Sequence, residues 1–258
     1  NSDLIEVLKN RNPPNEYSDH LEDLISALMD ALSRGELHID LSNSINTESR
    51  ANGWPESHLK ALIKSGWTRG INAPMVLKGR KLSWKKWQFE VDNVLDELFE
   101  KSKLRPTIIN KVNCLDISIE SNTLNKQQKA AIHAVLHENV VLISGGPGTG
   151  KTSTVLQMLI KLFEINHNLN IGIAAPTGKA TRRIKESLQK DIKDIETSER
   201  IHLANVPCKT IHKWLKAKSE GFGRNKGNPL ILDIFFIDEM SMVDISLMQA
   251  ILEALPQK

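Results

Sequence analysis

Hydrophobic residues before about position 105 recur every three or four positions, a spacing that predicts amphipathic helices. One stripe of this kind consists of Leu21, Leu24, Ile25, Leu28 and Leu32. A second consists of Val91, Val94, Leu95, Leu98 and Phe99. Glycines and prolines interrupt the chain between the two stripes. The pattern predicts a small, mainly helical domain over residues 1–105.

From position 124 onward, short and fully apolar runs alternate with helical stretches. The predicted strands are 140–144, 171–175 and 234–238, and the predicted helices are 125–137, 151–164, 178–190 and 245–255. This alternation is typical of an α/β fold with a parallel sheet covered by helices. It predicts a second domain over residues 124–258, which an extended linker over residues 106–123 joins to the first.

Composition adds limited constraints. The chain is 40% hydrophobic and 25% charged, which is ordinary for a soluble globular protein. Its two cysteines form no disulfide framework, and its apolar runs are too short to span a membrane. We therefore expect a cytoplasmic protein with no membrane partner.

Charge is distributed unevenly along the chain. Residues 57–89 contain eight Lys and Arg residues and no acidic residue. The tryptophans in or beside this stretch are Trp54, Trp67, Trp84 and Trp87. They could stack on nucleic-acid bases. We favour packing in the core or against a partner, which is the more common use of tryptophan.

The strongest chemical signal is a glycine-rich string at 145–152, which reads Gly-Gly-Pro-Gly-Thr-Gly-Lys-Thr. It lies between a predicted strand and a predicted helix, so backbone N–H groups can converge on a phosphate. Lys151 can reach the outer phosphates, and the Thr152 hydroxyl can bind Mg²⁺. A simple glycine-rich turn would explain neither residue. The candidate nucleotide-binding residues are Gly146, Pro147, Gly148, Thr149, Gly150, Lys151, Thr152 and Ser153.

Asp238 and Glu239 end the third predicted strand, at the edge where ligands of open parallel sheets bind. Asp238 can help to hold Mg²⁺, and Glu239 can polarise the water that attacks the terminal phosphate. This pair favours hydrolysis and differs from the Asp-x-x-Gly motif of GTPases. The alternative is a pair of residues that caps a helix.

Two further strings follow predicted strands or lie near them. In 174–180, Thr177 and Lys179 open a helix and could hold the phosphate of a nucleic-acid backbone. A solvated helix start explains that string equally well. In 209–214, His212 alone is a weak signal, since it could be a core or surface histidine. His133 and His137 have an i, i+4 metal spacing, but we favour a plain surface helix there.

Taken in order, the strings at 145–152, 174–180, 210–212 and 237–244 resemble the RecD family, the alpha subunits of exodeoxyribonuclease V (the RecBCD helicase–nuclease). The resemblance implies a P-loop NTPase domain of the RecA-like type and a 5′-3′ superfamily 1 DNA helicase. It also implies ATP and Mg²⁺ as cofactors, single-stranded DNA and the RecB and RecC subunits as partners, a role in double-strand-break repair and recombination, and a bacterial cytoplasmic location.

The resemblance also assigns individual roles. Lys151, Asp238 and Glu239 are implied to be catalytic, and Thr152 and Asp238 to hold Mg²⁺. Gln128 is implied to read adenine. The implied contacts with single-stranded DNA are Thr177, Lys179 and His212.

The sequence departs from the family at its end, one helix past the acidic strand. We therefore expect an incomplete sheet with a gap between 140–144 and 234–238, a longer polypeptide, and at most slow hydrolysis with negligible unwinding by these 258 residues. Two alternatives stay open: a non-catalytic module that binds partners and DNA, and an AAA+-type loader ATPase. The strings at 174–180 and 210–212 speak against the loader.

Overall fold

The computed structural model describes residues 2–42, 53–104, 106, 124–146, 148–191 and 197–256. It divides the chain into two compact units, residues 1–93 and residues 94–258. The division falls before the boundary at 105 that the hydrophobic pattern predicts. The predicted linker, apart from Pro106, lies outside the described residues.

The first unit combines helices with a small antiparallel sheet. Its elements are α1 (Ser2–Arg11), α2 (Asp19–Ser33), β1 (His38–Asp40), α3 (Glu56–Ser65), β2 (Met75–Lys78) and β3 (Lys81–Trp84). α4 (Lys85–Lys103) begins in this unit and ends in the second. The strands pair in the order β1-β3-β2. With three or four residues each, they are too short to show an alternating pattern, and the sequence did not predict them.

The core of the first unit forms around α2, whose predicted stripe is buried except for Leu32, which is half-buried. Trp67 is also buried, and its indole N–H donates a hydrogen bond to the carbonyl oxygen of Asn12 at 2.7 Å. Trp54 and Trp84 pack against the same core. These three tryptophans therefore pack in or against the core, which is among the uses that we favoured.

Much of the positive charge in 57–89 is paired with acidic side chains. Three ion pairs of 2.7–2.9 Å form there: Lys64–Glu16, Lys78–Asp92 and Arg80–Glu56. The hydrogen bond from the Lys78 ammonium lowers the pKa of the Asp92 carboxyl. The stretch therefore presents less free charge than its sequence indicates.

The second predicted stripe forms a helix, α4, but does not form a continuous core face. Val94 is buried, whereas Phe99 is 61% exposed. The periodicity therefore predicted the helix correctly and its burial incorrectly.

The second unit is an α/β fold with a three-stranded parallel sheet. Its elements are α5 (Lys126–His137), α6 (Lys151–Ile165), β4 (Ile171–Ala175), α7 (Gly178–Asp191), α8 (Thr197–Ala204), β5 (Cys208–Thr210), α9 (Ile211–Trp214), β6 (Ile234–Ile237) and α10 (Ile245–Ala254). The four helices predicted for this region are confirmed, as are the strands that became β4 and β6. The strands pair in parallel in the order β5-β4-β6.

Alternate residues of β4 and β6 pack into two different cores. Ile173 and Phe236 pack into a cluster with α6 and α7, whereas Ala174 and Phe235 pack into a cluster with α9 and α10. Helices therefore cover both faces of the sheet, as the fully apolar strands predicted. This is a P-loop NTPase arrangement preceded by a mainly helical part. In the described ranges, no helix is long and apolar enough to cross a membrane.

The predicted strand at 140–144 is wrong, since no strand forms there. Leu142 is 83% exposed and Ile143 is 41% exposed. β6 pairs with β4 on one side, and no described segment pairs with its other side. An apolar run becomes a strand only when a neighbour supplies its hydrogen bonds, and none of the described residues does so here. The expected gap required a strand at 140–144, so it does not form as predicted; among the described residues, β6 has a paired neighbour on one side alone. The predicted continuation of the polypeptide stays a prediction.

Candidate nucleotide-binding site

The glycine-rich loop turns directly into α6. Gly148 and Gly150 have φ angles of +76° and +78°, in the left-handed region that favours glycine. At Gly150, a Cβ atom would also lie 2.8 Å from the side-chain nitrogen of Gln128. The conformation therefore favours glycine at this position, and a larger residue would also displace the end of the Gln128 side chain. Pro147 lies outside the described residues.

Lys151 folds back over the loop that precedes it. Its ammonium group donates hydrogen bonds to the carbonyl oxygens of Gly145 and Gly146 at 2.6 and 3.0 Å. The Thr149 hydroxyl donates to the same Gly146 oxygen at 2.9 Å. A bound phosphate would offer the ammonium a charged acceptor in place of two neutral ones, and such bonds are roughly twice as strong. The lysine is thus held where it can exchange the loop carbonyls for phosphate oxygens.

The first turn of α6 is suited to an anion. It contains Thr152 and Ser153 and no acidic residue. Ser153 donates its hydroxyl hydrogen bond to the Gly150 carbonyl oxygen at 2.8 Å. The positive end of the helix dipole is therefore not neutralised by a side chain, and it can stabilise a phosphate.

Gln128 connects the start of α5 with the loop. The Asn125 side chain accepts a hydrogen bond from the Gln128 N–H at 2.9 Å, and the Gln128 side chain accepts one from the Asn125 N–H at 3.0 Å. The Gln128 amide also donates a long bond of 3.4 Å to the Thr149 carbonyl oxygen. The reciprocal cap fixes the glutamine beside the loop. Our sequence analysis missed Asn125, although Asn-x-x-Gln before an apolar stripe is a capping signature.

The acidic pair lies at the carboxyl end of β6. The Asp238 N–H donates to the Ala174 carbonyl oxygen at 2.9 Å, which extends the pairing with β4. One Asp238 carboxylate oxygen accepts a hydrogen bond from the Glu239 N–H at 2.8 Å. Glu239 has a φ angle of +55°, which is uncommon for a residue other than glycine. No sequence signal indicates this, because glutamate is not a residue type that favours the left-handed region.

The alternative role of the pair, as a helix cap, is not supported by the hydrogen bonds. Glu239 precedes one 3-10 turn at Met240–Met242 and forms no side-chain cap bond there. The following helix, α10, is capped by Asp244, which accepts a hydrogen bond from the Leu247 N–H at 2.7 Å. The acidic side chains are therefore not required for helix capping.

The remaining candidates follow β4 and β5. The Thr177 hydroxyl oxygen accepts a hydrogen bond from the Ala180 N–H at 3.1 Å and so stabilises the start of α7. Lys179 is exposed in that first turn. His212 is exposed on α9, which Thr210 caps at the end of β5. Because β4, β5 and β6 are parallel, their carboxyl ends lie at one edge of the sheet. Thr177, His212 and Asp238, which follow these strands, therefore lie at that edge.

Trp214 fixes α9 to the central strand. Its indole N–H donates to the Ile173 carbonyl oxygen at 2.9 Å, and the ammonium of Lys209 lies 4.8 Å from the centre of its ring. The sequence analysis quoted Trp214 within a string but assigned it no role. The structure gives it the role of anchoring the helix that carries His212.

Comparisons with known proteins agree with this arrangement. The family model of an AAA domain matches residues 128–258. The RecBCD enzyme subunit RecD of Buchnera aphidicola subsp. Acyrthosiphon pisum is 38% identical over 213 residues, which are 78% of this chain and 34% of the relative. The RecD subunit of Mycolicibacterium smegmatis is 31% identical over 210 residues, 78% of this chain and 37% of the relative.

A third relative is the ATP-dependent RecD2 DNA helicase of Deinococcus radiodurans, which is 32% identical over 133 residues, 52% of this chain and 16% of the relative. The chain thus spans about a third of the length of the RecD subunits that it matches. These matches confirm the resemblance that the four strings indicated and imply the use of a nucleotide. The chain belongs to the AAA domain family, and within that family it is similar to the RecD subunits of RecBCD enzymes.

Proposed function

We propose that this chain carries the ATP site of a 5′-3′ DNA helicase subunit of the RecBCD type, which acts in double-strand-break repair and recombination. The observation that carries the proposal is the common edge of the parallel sheet. β4, β5 and β6 all end there, and each is followed by a residue suited to phosphate, DNA or metal. The glycine loop with Lys151 supplies the phosphate-binding element of the same fold.

In this proposal, ATP binds with its phosphates against the loop of residues 145–152. Lys151 exchanges its bonds with the loop carbonyls for bonds to the outer phosphates. Mg²⁺, when bound, neutralises phosphate charge and is held by the Thr152 hydroxyl and the Asp238 carboxylate. Gln128, fixed beside the loop by its cap, contacts the base.

Glu239 activates the water in the hydrolytic step. It follows Asp238 directly, and the hydrogen bond from its N–H to the Asp238 carboxylate couples the positions of the two acids. Its left-handed backbone turns the chain sharply at the end of β6. Strained conformations of this kind are found at functional sites more often than elsewhere.

DNA would bind along the edge formed by Thr177, Lys179 and His212. Lys179 supplies positive charge for the backbone, and the start of α7 supplies N–H groups. Trp214 ties α9 to β4, and β4 pairs with β6, which carries Asp238. One rigid strand therefore connects the proposed DNA contacts with the proposed Mg²⁺ ligand.

The partners proposed for the complete subunit are RecB and RecC, which the names of the RecD relatives suggest. The loader ATPase is not favoured, because the relatives are RecD proteins.

The test is binding of a fluorescently labelled oligothymidylate, measured by anisotropy with and without Mg-ATP. We expect binding that weakens as salt rises, an affinity that changes when Mg-ATP is added, and a clear loss with Lys179→Ala. Lys190→Ala, an exposed lysine at the other end of α7, serves as the matched control. Equal binding by both variants and no response to Mg-ATP would contradict the proposed DNA edge.

A further inference from the structure

Three side chains that can ligate a metal lie together in the first unit, within residues 1–93. His20 and Asp23 are one turn apart on α2, and His58 is on α3, which packs against α2. One nitrogen from each imidazole and one oxygen of Asp23 lie within 4.8 Å of one another. None of these residues has a part in the proposed nucleotide or DNA contacts, and the sequence analysis did not find them.

The His58 side chain is fully buried, with 0% exposure, and lies between polar and aromatic neighbours. Its Nε2 atom is 3.0 Å from a carboxylate oxygen of Asp23. The ring of Trp54 meets it edge-on, with 4.6 Å between ring centres. The imidazole is therefore held in a defined place, and one of its nitrogens already faces the carboxylate.

The hydrogen bond between His58 and Asp23 does not account for the third side chain of the cluster, His20. Its ring stacks on His58 with 4.6 Å between centres and 28° between planes. Its Nδ1 atom is buried, and among the described residues it has no hydrogen-bond partner. Burial of a polar atom without a partner is unfavourable. A ligand that accepts the lone pair of a ring nitrogen would remove that cost.

We propose that His20, Asp23 and His58 bind one divalent transition-metal ion, Zn²⁺, with water as the fourth ligand. Two imidazoles and a carboxylate are typical Zn²⁺ ligands, whereas Mg²⁺ and Ca²⁺ prefer oxygen alone. Asp23 is 29% exposed, so the ion has a path from solvent to the buried histidine.

The geometry requires one adjustment. Bonds of about 2.0–2.1 Å to a tetrahedral ion place ligand atoms about 3.3 Å apart. The His58–Asp23 pair, at 3.0 Å, is already close to this separation. The His20 ring has to rotate out of its stack on His58, so that its nitrogen points at the ion. The bound ion would then join α2 to α3 and stabilise the first unit.

The test uses the whole chain after removal of metals with a chelator. Zn²⁺ binding is measured by calorimetry, and Co²⁺ replaces Zn²⁺ for visible absorption, which reports the coordination number. The informative variants are His20→Ala and Asp23→Asn. The second keeps an oxygen acceptor for His58 but removes the anionic ligand. The matched control is the double variant His133→Ala/His137→Ala, which removes an i, i+4 pair whose ring centres are 4.1 Å apart on α5.

We expect one tightly bound Zn²⁺ that both informative variants weaken at least tenfold and the control does not. At 100 times the dissociation constant, Zn²⁺ should raise the melting temperature of the parent by about 5 °C or more. The proposal is overturned if the parent binds no Zn²⁺, if His20→Ala binds it as tightly as the parent, or if only the control loses it. If a variant fails to fold, the parent chain decides the question by itself: an absence of four-coordinate Co²⁺ bands in its spectrum would overturn the proposal. ATP binding is independent of each outcome, so failure here leaves the proposed function untouched.

Discussion

The two halves of the candidate nucleotide site are held in different ways. The glycine loop takes its shape from its own residues: left-handed glycines, and side chains of Thr149 and Lys151 that bond to its carbonyl oxygens. The acidic corner at Asp238 and Glu239 takes its position from elsewhere, through the pairing of β6 with β4. The shape of the proposed binding half is therefore specified locally, whereas the position of the proposed catalytic half depends on the pairing of the sheet.

The largest expected effect separates catalysis from binding at the acidic corner. Glu239→Gln should lower single-turnover ATP hydrolysis about 100-fold, because the amide cannot act as a base for the attacking water. The affinity for ATP should stay within about threefold, since the glycine loop is unchanged. Hydrolysis is followed by phosphate release and affinity by calorimetry. Glu220→Gln, an exposed glutamate outside the site, is the control. If the hydrolysis rate and the ATP affinity of Glu239→Gln both fall about 100-fold, the glycine loop and the acidic corner do not have separate roles in binding and hydrolysis.

The next effect tests whether the sheet holds the acidic corner. A Cβ atom on Gly172 would lie 2.8 Å from the Trp214 ring and 2.9 Å from a Leu232 methyl group. Gly172→Ala should therefore lower the free energy of unfolding of the second unit by about 1–3 kcal/mol. Chemical denaturation measures this loss. Gly178→Ala, where no atom lies within 4 Å of the added Cβ, should cost little. Similar stability for the two variants would show that β4 and Trp214 are not tightly packed.

The smallest of these effects concerns the residue that positions Gln128. Asn125→Ala removes the side chain that caps α5 and should cost about 1 kcal/mol of stability. The ATP affinity should fall about two- to fivefold, because Gln128 loses its fixed orientation. Asn168→Ala serves as control, since Asn168 is exposed and its backbone N–H, which the substitution keeps, donates a hydrogen bond to the Asn166 side chain. An unchanged affinity would mean that the cap does not contribute to the site.

The sequence predicted four helices of the second unit correctly, because each has an apolar stripe at helical spacing, but it did not predict the shorter helices α8 and α9. The glycine loop was equally predictable, since its residue types are dictated by local conformation. The run 140–144 was wrongly predicted as a strand, because its state depends on a neighbouring strand that a local pattern cannot reveal. β1, β2 and β3 were missed for a related reason: each is too short for a periodicity to be visible.

Burial and long-range contacts were the least predictable features. The stripe on α4 predicted a helix correctly, yet Phe99 is largely exposed. His58 and Asp23 are 35 positions apart in the sequence, and only the packing of α2 against α3 brings them together. Glu239 adopts a left-handed conformation that its residue type does not favour. Such features follow from tertiary packing, and a single sequence contains no local sign of them.

The central claim is that the loop at 145–152 and Lys151 form a Mg-ATP site. The most direct measurement is calorimetric titration of ATP with Mg²⁺ into the parent chain, Lys151→Ala and Lys161→Ala. Lys161 is also on α6, but its ammonium pairs with Glu164 at 2.8 Å, away from the loop. We expect Lys151→Ala to bind Mg-ATP at least tenfold more weakly, roughly 1.4 kcal/mol, and Lys161→Ala to bind it like the parent. Equal affinity for Lys151→Ala and the parent would contradict it.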